Sequence, residues 1–151
     1  MMSAIVSPDA YRYRGGVYTF DPEREPAIWG QTYVDFLEHC TRTTKAALLV
    51  GLPGSGKSTW AHKQIGGEVI FDATNLDTAT RRPIIALAHQ RGCEIRAIYF
   101  ETRFEICQER NAARPEGRRV PNVQMEAMRD KFRLPNEREG ISRIDIVGGR
   151  A

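Results

Sequence analysis

No apolar run in this sequence approaches the roughly 20 residues of a membrane-spanning helix, and the N-terminus lacks the charged start and long apolar centre of a secretion signal. A cytoplasmic location with no membrane partner is expected. Cysteine is scarce: Cys40, Cys93 and Cys107 stand far apart, odd in number and without C-x-x-C spacing. They read as free, core-filling thiols of a reducing compartment, which excludes a disulfide framework and a cysteine zinc site. His39, His62 and His89 show no metal-ligand spacing either. A surplus of one charge is also missing. The net charge of +3 suits an acidic substrate such as a nucleotide or nucleic acid, but falls short of a dedicated DNA-binding protein. With no internal repeat, low-complexity tract or linker, residues 1–151 read as a single globular domain.

Against these absences one stretch stands out. The apolar run Ala46–Val50 leads into Gly51-Leu52-Pro53-Gly54-Ser55-Gly56-Lys57-Ser58-Thr59, and a helical segment, Trp60 to Gln64, follows. This is the strand, glycine loop and helix of the GxxxxGK[ST] motif. Its glycines let successive backbone N–H groups converge on a phosphate, and the helix offers its positive end to the same charge. Lys57 is placed to reach the outer phosphates of ATP, and the Ser58 hydroxyl to ligate magnesium. Gly51, Pro53, Gly54, Ser55, Gly56, Lys57, Ser58 and Thr59 are therefore expected to bind nucleotide.

Taken in order, Ala4-Ile5-Val6 reads as a buried strand that ends at Ser7-Pro8-Asp9. Those three residues make a good helix entrance, with Ser7 capping, Pro8 in the first position and Asp9 in the first turn. Arg14 to Asp21, with Gly15-Gly16, is expected to be a loop. Trp29, Tyr33, Phe36, Leu37 and Cys40 recur at three and four, which predicts an amphipathic helix from Pro26 to Cys40. Glu68–Asp72 predicts a buried strand delivering Asp72 at its end. A helix capped by Asp77 or Thr78 follows and stops at Gly92, with Pro83 bending or delaying it. Glu94–Phe100 predicts a strand and Arg103–Ala113 a helix; a basic stretch, Arg114 to Arg119, separates it from a helix over Pro121–Phe132, whose apolar set is Val123, Met125, Met128 and Phe132. The last strand is Ile144–Val147. Alternating strands and helices predict an α/β fold with a parallel sheet covered on both faces and ligands beyond the carboxyl ends of its strands. Asp9, Lys57, Ser58 and Asp72 all fall at such ends, which predicts one shared site.

The sequence resembles P-loop kinases of the polynucleotide 5′-hydroxyl kinase type. The residues that carry the likeness are GLPGSGKSTW (Gly51–Trp60), DATNL (Asp72–Leu76) with Arg81-Arg82 after it, Glu109-Arg110-Asn111 with Arg114, Val120-Pro121, Phe132 to Pro135, and Glu139-Gly140. One departure is large. In that family a segment of the form S-x-D-x-x-R lies between the P-loop helix and the DxTN strand, where this chain has only Gly66-Gly67. Ser7-Pro8-Asp9 with Arg12, and the helix through Cys40, resemble the missing unit, so the first two strand-helix units look transposed. The resemblance implies a three-layer sandwich whose five-stranded parallel sheet has permuted strand order. The Asp9 strand is then at one edge, followed by the strands of Asp72, the P-loop, Glu94 and Ile144. Residues 1–44 would be the displaced unit, and 45–151 would carry the P-loop, DxTN strand, lid and C-terminal strand.

That likeness makes Asp9 the expected general base for an attacking hydroxyl, although its role as a helix entrance remains open. It places Arg12 on substrate phosphate. Asp72 has three open roles: ordering a magnesium-bound water, orienting an arginine, or serving as the base itself. Thr74 and Asn75 either contact substrate or shape the turn. Arg110 and Arg114, one helical turn apart before a Pro/Gly stretch, are expected in a lid that neutralises transition-state charge, with Arg114 on the β/γ-phosphates by resemblance. Arg118 and Arg119 either bind nucleic-acid phosphates or form an exposed basic loop. The expected activity is ATP- and Mg²⁺-dependent phosphorylation of 5′-hydroxyl DNA or RNA ends, with phosphatase or ligase partners as separate proteins. The alternatives are a small-molecule or antibiotic kinase, and an ATPase or regulatory module that transfers nothing.

Overall fold

The apolar runs pair side by side in one five-stranded, all-parallel sheet. The computed structural model describes residues 2–148; residues 1 and 149–151 of the expected domain lie outside that range. In chain order its elements begin with β1 (Ala4–Val6), a 3₁₀ turn (Pro8–Tyr11), β2 (Tyr13–Arg14), β3 (Val17–Tyr18) and α1 (Glu25–Cys40). The phosphate loop joins β4 (Lys45–Val50) to α2 (Lys57–His62), and β5 (Val69–Phe71), α3 (Thr78–Gln90) and β6 (Glu94–Glu101) follow. The chain ends with α4 (Phe104–Ala112), a 3₁₀ turn (Glu116–Arg118), α5 (Asn122–Lys131), a third such turn (Glu137–Glu139) and β7 (Ile144–Gly148).

The sheet order is β1-β5-β4-β6-β7, the order expected. Period-two alternation along β4 supplies both faces. Ala46, Leu48 and Val50 join Phe36 and Cys40 of α1 and Ile84, Ile85 and Ala88 of α3 in one buried cluster. Ala47 and Leu49 face the other way, with Ala61 of α2, Ile70, Ile98 and Phe100. Helices therefore cover both faces, the architecture of a P-loop kinase-like fold.

Several details differ from expectation. Tyr13–Tyr18 is a hairpin, not a loop. Gly15 and Gly16 sit at φ 55 and φ 80, the two positive angles of a tight turn whose twist suits antiparallel strands. Pro83 lies inside α3 and does not delay it, since the helix already starts at Thr78 behind the Asp77 cap. Val123, expected in the core, is 78% exposed, while Met125 on the same helix is fully buried. The three cysteines are free and buried, as expected. Among the described residues no helix is long and apolar enough to cross a membrane.

Candidate functional site

The phosphate loop leaves the carboxyl end of β4 and is held shut from both sides. Gly51 N–H donates to the Thr74 carbonyl at 3.0 Å, and Thr102 Oγ1 donates to the Ser55 carbonyl at 2.9 Å. Gly54 and Gly56 sit at φ 81 and φ 101, where a side chain is strained, and a Cβ on Gly54 would lie 2.7 Å from the Cys107 carbonyl oxygen. The glycines are thus required by backbone angle and by the approach of α4. Pro53 is buried, Thr59 is exposed, and the buried Ser55 hydroxyl has no hydrogen-bond partner among the described residues. Helix α2 starts at Lys57, earlier than expected, and is short.

Lys57 is only 8% exposed, with its Nζ donating to the Leu52 carbonyl at 2.9 Å. Burial pulls its pKa down to about 8; Asp72 opposes the shift and the nearby Arg114 charge adds to it. A desolvated ammonium beside an unpartnered hydroxyl is a cradle whose chemistry matches a phosphate. Ser58 Oγ donates to Asp72 Oδ2 at 2.8 Å. Burial pushes the Asp72 carboxyl above its ordinary range, with Lys57 and Ser58 pulling it back. The motif implies magnesium, and this pair of hard oxygen donors fits it. No cluster of three or more metal-binding side chains exists among the described residues.

Arg110 and Arg114, the two arginines expected in a lid, approach from α4. Arg110 Nη1 donates to the Gly54 carbonyl at 3.2 Å, which ties the helix to the loop. Arg114, half-buried just past α4, is near enough to depress Lys57. Buried Asn111 donates to the Val120 carbonyl at 2.6 Å and accepts from Val120 N–H at 2.9 Å. This pins together the two ends of the loop that carries Arg114, Arg118 and Arg119.

Asp9 lies beyond β1, in a 3₁₀ turn capped by Ser7, whose Oγ accepts from Asp9 N–H at 3.2 Å. The helix-entrance reading is therefore met. Its charge is felt at Lys57 and at Asp72. Arg12 donates to Asp9 Oδ1 at 2.7 Å and to Glu25 at 2.6 and 3.1 Å. These two carboxylates hold its guanidinium above its ordinary pKa against the effect of burial. Tyr18 Oη also donates to Asp9 Oδ1, at 2.9 Å, and Arg118 reaches Asp9 Oδ2 at 3.6 Å.

Of the two roles open to Asn75, the structure shows the turn-shaping one. It is fully buried at φ 46, with its amide donating to the Leu49 and Ala73 carbonyls. Thr74 is half-buried and its carbonyl anchors the loop. Sequence reasoning gave no role to Glu25, Tyr18 or Arg81. Arg81, fully buried, donates to Glu139, to the Asn75 carbonyl and to the carbonyls of Arg133 and Leu134. The signal for its partner was present: Asn136-x-x-Glu139 is a capping box, and it forms.

A family model described as an AAA domain matches residues 63–135, a span that begins just past the phosphate loop and takes in β5, α3 and the lid. The bifunctional polynucleotide phosphatase/kinase of Schizosaccharomyces pombe (strain 972 / ATCC 24843) is 25% identical over 132 aligned residues, covering 66% of this chain and 32% of that protein. The chain thus spans about a third of the length of the curated relative it matches. Sheet, loop and matches together make this chain similar to P-loop kinases.

Proposed function

We propose that this chain transfers the terminal phosphoryl group of ATP to the 5′-hydroxyl end of a DNA or RNA strand. The observation that carries the reading is the convergence of Asp9, Lys57 and the Ser58–Asp72 pair beyond the carboxyl ends of three adjacent strands. A carboxylate for the acceptor hydroxyl thus stands beside a cradle for the donor phosphates. The printed name of the Schizosaccharomyces pombe relative, a polynucleotide phosphatase/kinase, supports this acceptor class over a small metabolite.

In this reading the loop residues Gly51 to Thr59 hold the triphosphate, with Lys57 and Arg114 on its outer oxygens and Arg110 bracing the loop. Ser58, with Asp72 behind it, would hold magnesium, which would supply neutralisation of phosphate charge. Asp9 accepts the proton of the 5′-hydroxyl as its oxygen bonds to the γ-phosphorus; the bond to the β–γ bridging oxygen breaks and ADP leaves with that electron pair. The backbone of Thr74 and Asn75 shapes the wall between donor and acceptor. The position of β1 beside β5 supports reading residues 1–44 as a strand-helix unit displaced within one cytoplasmic kinase domain. Phosphatase or ligase steps of end repair would then come from other proteins or segments.

The test is transfer from γ-labelled ATP to single-stranded DNA and RNA oligonucleotides with 5′-hydroxyl ends, for wild type, Asp9→Asn and Asp72→Asn. Labelled product from wild type that collapses in Asp9→Asn, with ATP binding kept, is the expected result. No label on either oligonucleotide would sink the acceptor assignment, and transfer untouched by Asp9→Asn would leave that residue a helix entrance only.

A further inference from the structure

The β2–β3 hairpin takes no part in the proposed phosphoryl transfer, yet residues 11–20 interleave rings with cations: Tyr11-Arg12-Tyr13-Arg14, then Tyr18 and Phe20 after the Gly15-Gly16 turn. A hairpin with two residues to a strand is marginal in water. This one is braced. Tyr11 Oη donates to Asp35 Oδ2 of α1, Tyr18 Oη donates to Asp9 Oδ1, and Arg14 pairs with Asp21 at 3.1 Å. The turn Glu116–Arg118 packs on β3.

The rings it carries are unequally engaged. Tyr18 is fully occupied: its hydroxyl is on Asp9, the Arg118 guanidinium lies 5.0 Å from its centroid, and Tyr13 meets it edge-on at 5.5 Å. Tyr13 and Tyr18 are cross-strand partners and so share one face of the hairpin. Thr19 N–H donates to the Arg12 carbonyl, which carries the ladder one step further, and strand alternation then returns Phe20 to the face of Tyr18. On that face Tyr13 is 44% exposed and Phe20 62%. Burying both rings would have stabilised the fold, as it does where Phe36 and Phe71 meet with no exposure at all. Two open rings on a braced element make an apolar patch of the kind that marks a binding surface.

The borders of the patch say what covers it. Through Tyr18 it is continuous with Asp9, where the proposed acceptor places its 5′-hydroxyl. Against β3 lies the segment Arg114–Arg119, with three arginines and one glutamate. Open rings beside positive charge match a polyanion that carries flat bases. We propose that Tyr13 and Phe20 form a stacking platform for bases of a single-stranded acceptor, beyond the nucleotide that reacts. This rests on the 5′-hydroxyl kinase reading and deepens it. The platform meets the faces of bases and not their edges, so it takes strands of any sequence, and affinity grows with the bases that reach it.

The test compares strands that differ only in their bases. Wild type, Phe20→Ala, Phe20→Trp and Tyr13→Ala are titrated into a 3′-labelled, 5′-hydroxyl oligothymidylate of about eight nucleotides, within the span of a small single-strand site, and binding is read by fluorescence anisotropy. A second strand of the same length keeps its first base and is abasic after it. Phe20→Ala and Tyr13→Ala are each expected to weaken binding of the full strand by roughly 5- to 100-fold, the usual loss for one stacked base, while Phe20→Trp keeps it. Wild type loses a similar factor on the abasic strand, and there Phe20→Ala costs nothing more. In transfer assays Phe20→Ala raises the KM of the oligonucleotide relative to that of a nucleoside 3′-monophosphate, which has no second base. If Phe20→Ala binds the full strand as wild type does, or loses as much on the abasic strand as on the full one, the platform is wrong, and transfer by wild type leaves the kinase reading standing. A changed oligomeric state in gel filtration with affinity unchanged would also overturn it, in favour of a contact between copies of this chain. If wild type shows the dependence on bases and on Phe20 but labels neither acceptor, the platform stands and the kinase reading falls. No binding and no transfer removes both.

Discussion

Two arginines, Arg12 at the end of the first 3₁₀ turn and Arg81 near the start of α3, both end on carboxylates, and their surroundings separate what looks alike in sequence. Arg81 is sealed: its side chain is fully buried, Glu139 opposite it is 9% exposed, and carbonyls from three residues occupy its remaining N–H groups. Arg12 is enclosed only on one side, since its partner Asp9 keeps 41% of its side chain in solvent. A sealed pair fixes the route of the chain. An open pair leaves a carboxylate that a ligand can reach, and that openness, rather than the ion pair itself, fits the role proposed for Asp9.

The contrast can be broken experimentally from either end. The largest effect is expected at the open pair: Asp9→Asn should lower kcat for phosphoryl transfer by about 10²- to 10⁴-fold, the range of a lost general base. Its urea midpoint should match that of wild type. Glu139→Ala should do the reverse. Removing one partner of a buried pair leaves Arg81 uncompensated and should cost about 3–5 kcal/mol in urea unfolding. If instead Asp9→Asn lost the stability and Glu139→Ala lost only activity, the distinction between the two pairs would be reversed. Arg114→Ala should follow, with kcat lower by roughly 10²- to 10³-fold, the usual loss when a donor to developing charge is removed. Full activity there would take the lid out of the mechanism.

The sealed side has a pH signature. Burial, with Cys93 alongside, pushes the Cys40 thiol up to about 12 from its ordinary 9.0. The folded chain then keeps a proton that the unfolded chain releases, so this group's support is whole below pH 9 and is lost as pH rises toward 12. Native protein at pH 8 should show no rapidly reacting thiol toward a disulfide reagent, and three after unfolding. The smallest effect is at Val123→Ala, within about 0.5 kcal/mol of wild type, because that side chain points to solvent.

The sheet could be read from the chain because its strands are apolar runs punctuated by Gly, Pro and Asp, and because Asp9, Lys57 and Asp72 sit where those runs stop. The phosphate loop was legible for a different reason: its glycines answer to angles and contacts that no other residue tolerates. The hairpin was hidden by its length. Two residues on either side of Gly15-Gly16 give too little alternation to register as strands, although that glycine pair was a hairpin signal in itself. Val123 misled because helical spacing names a face without saying how far the face extends over the core. The Arg81 latch was half legible: the Asn136-x-x-Glu139 box could be seen, but the 58 residues between Arg81 and Glu139 hid their pairing.

The Asn111–Val120 clasp limits how the site can move. With residues 111 and 120 bonded to each other, and Arg110 fixed to the Gly54 carbonyl, the segment between them is a buckle fastened at both ends. It has no free tip to swing away, so its stroke is set by its own few residues.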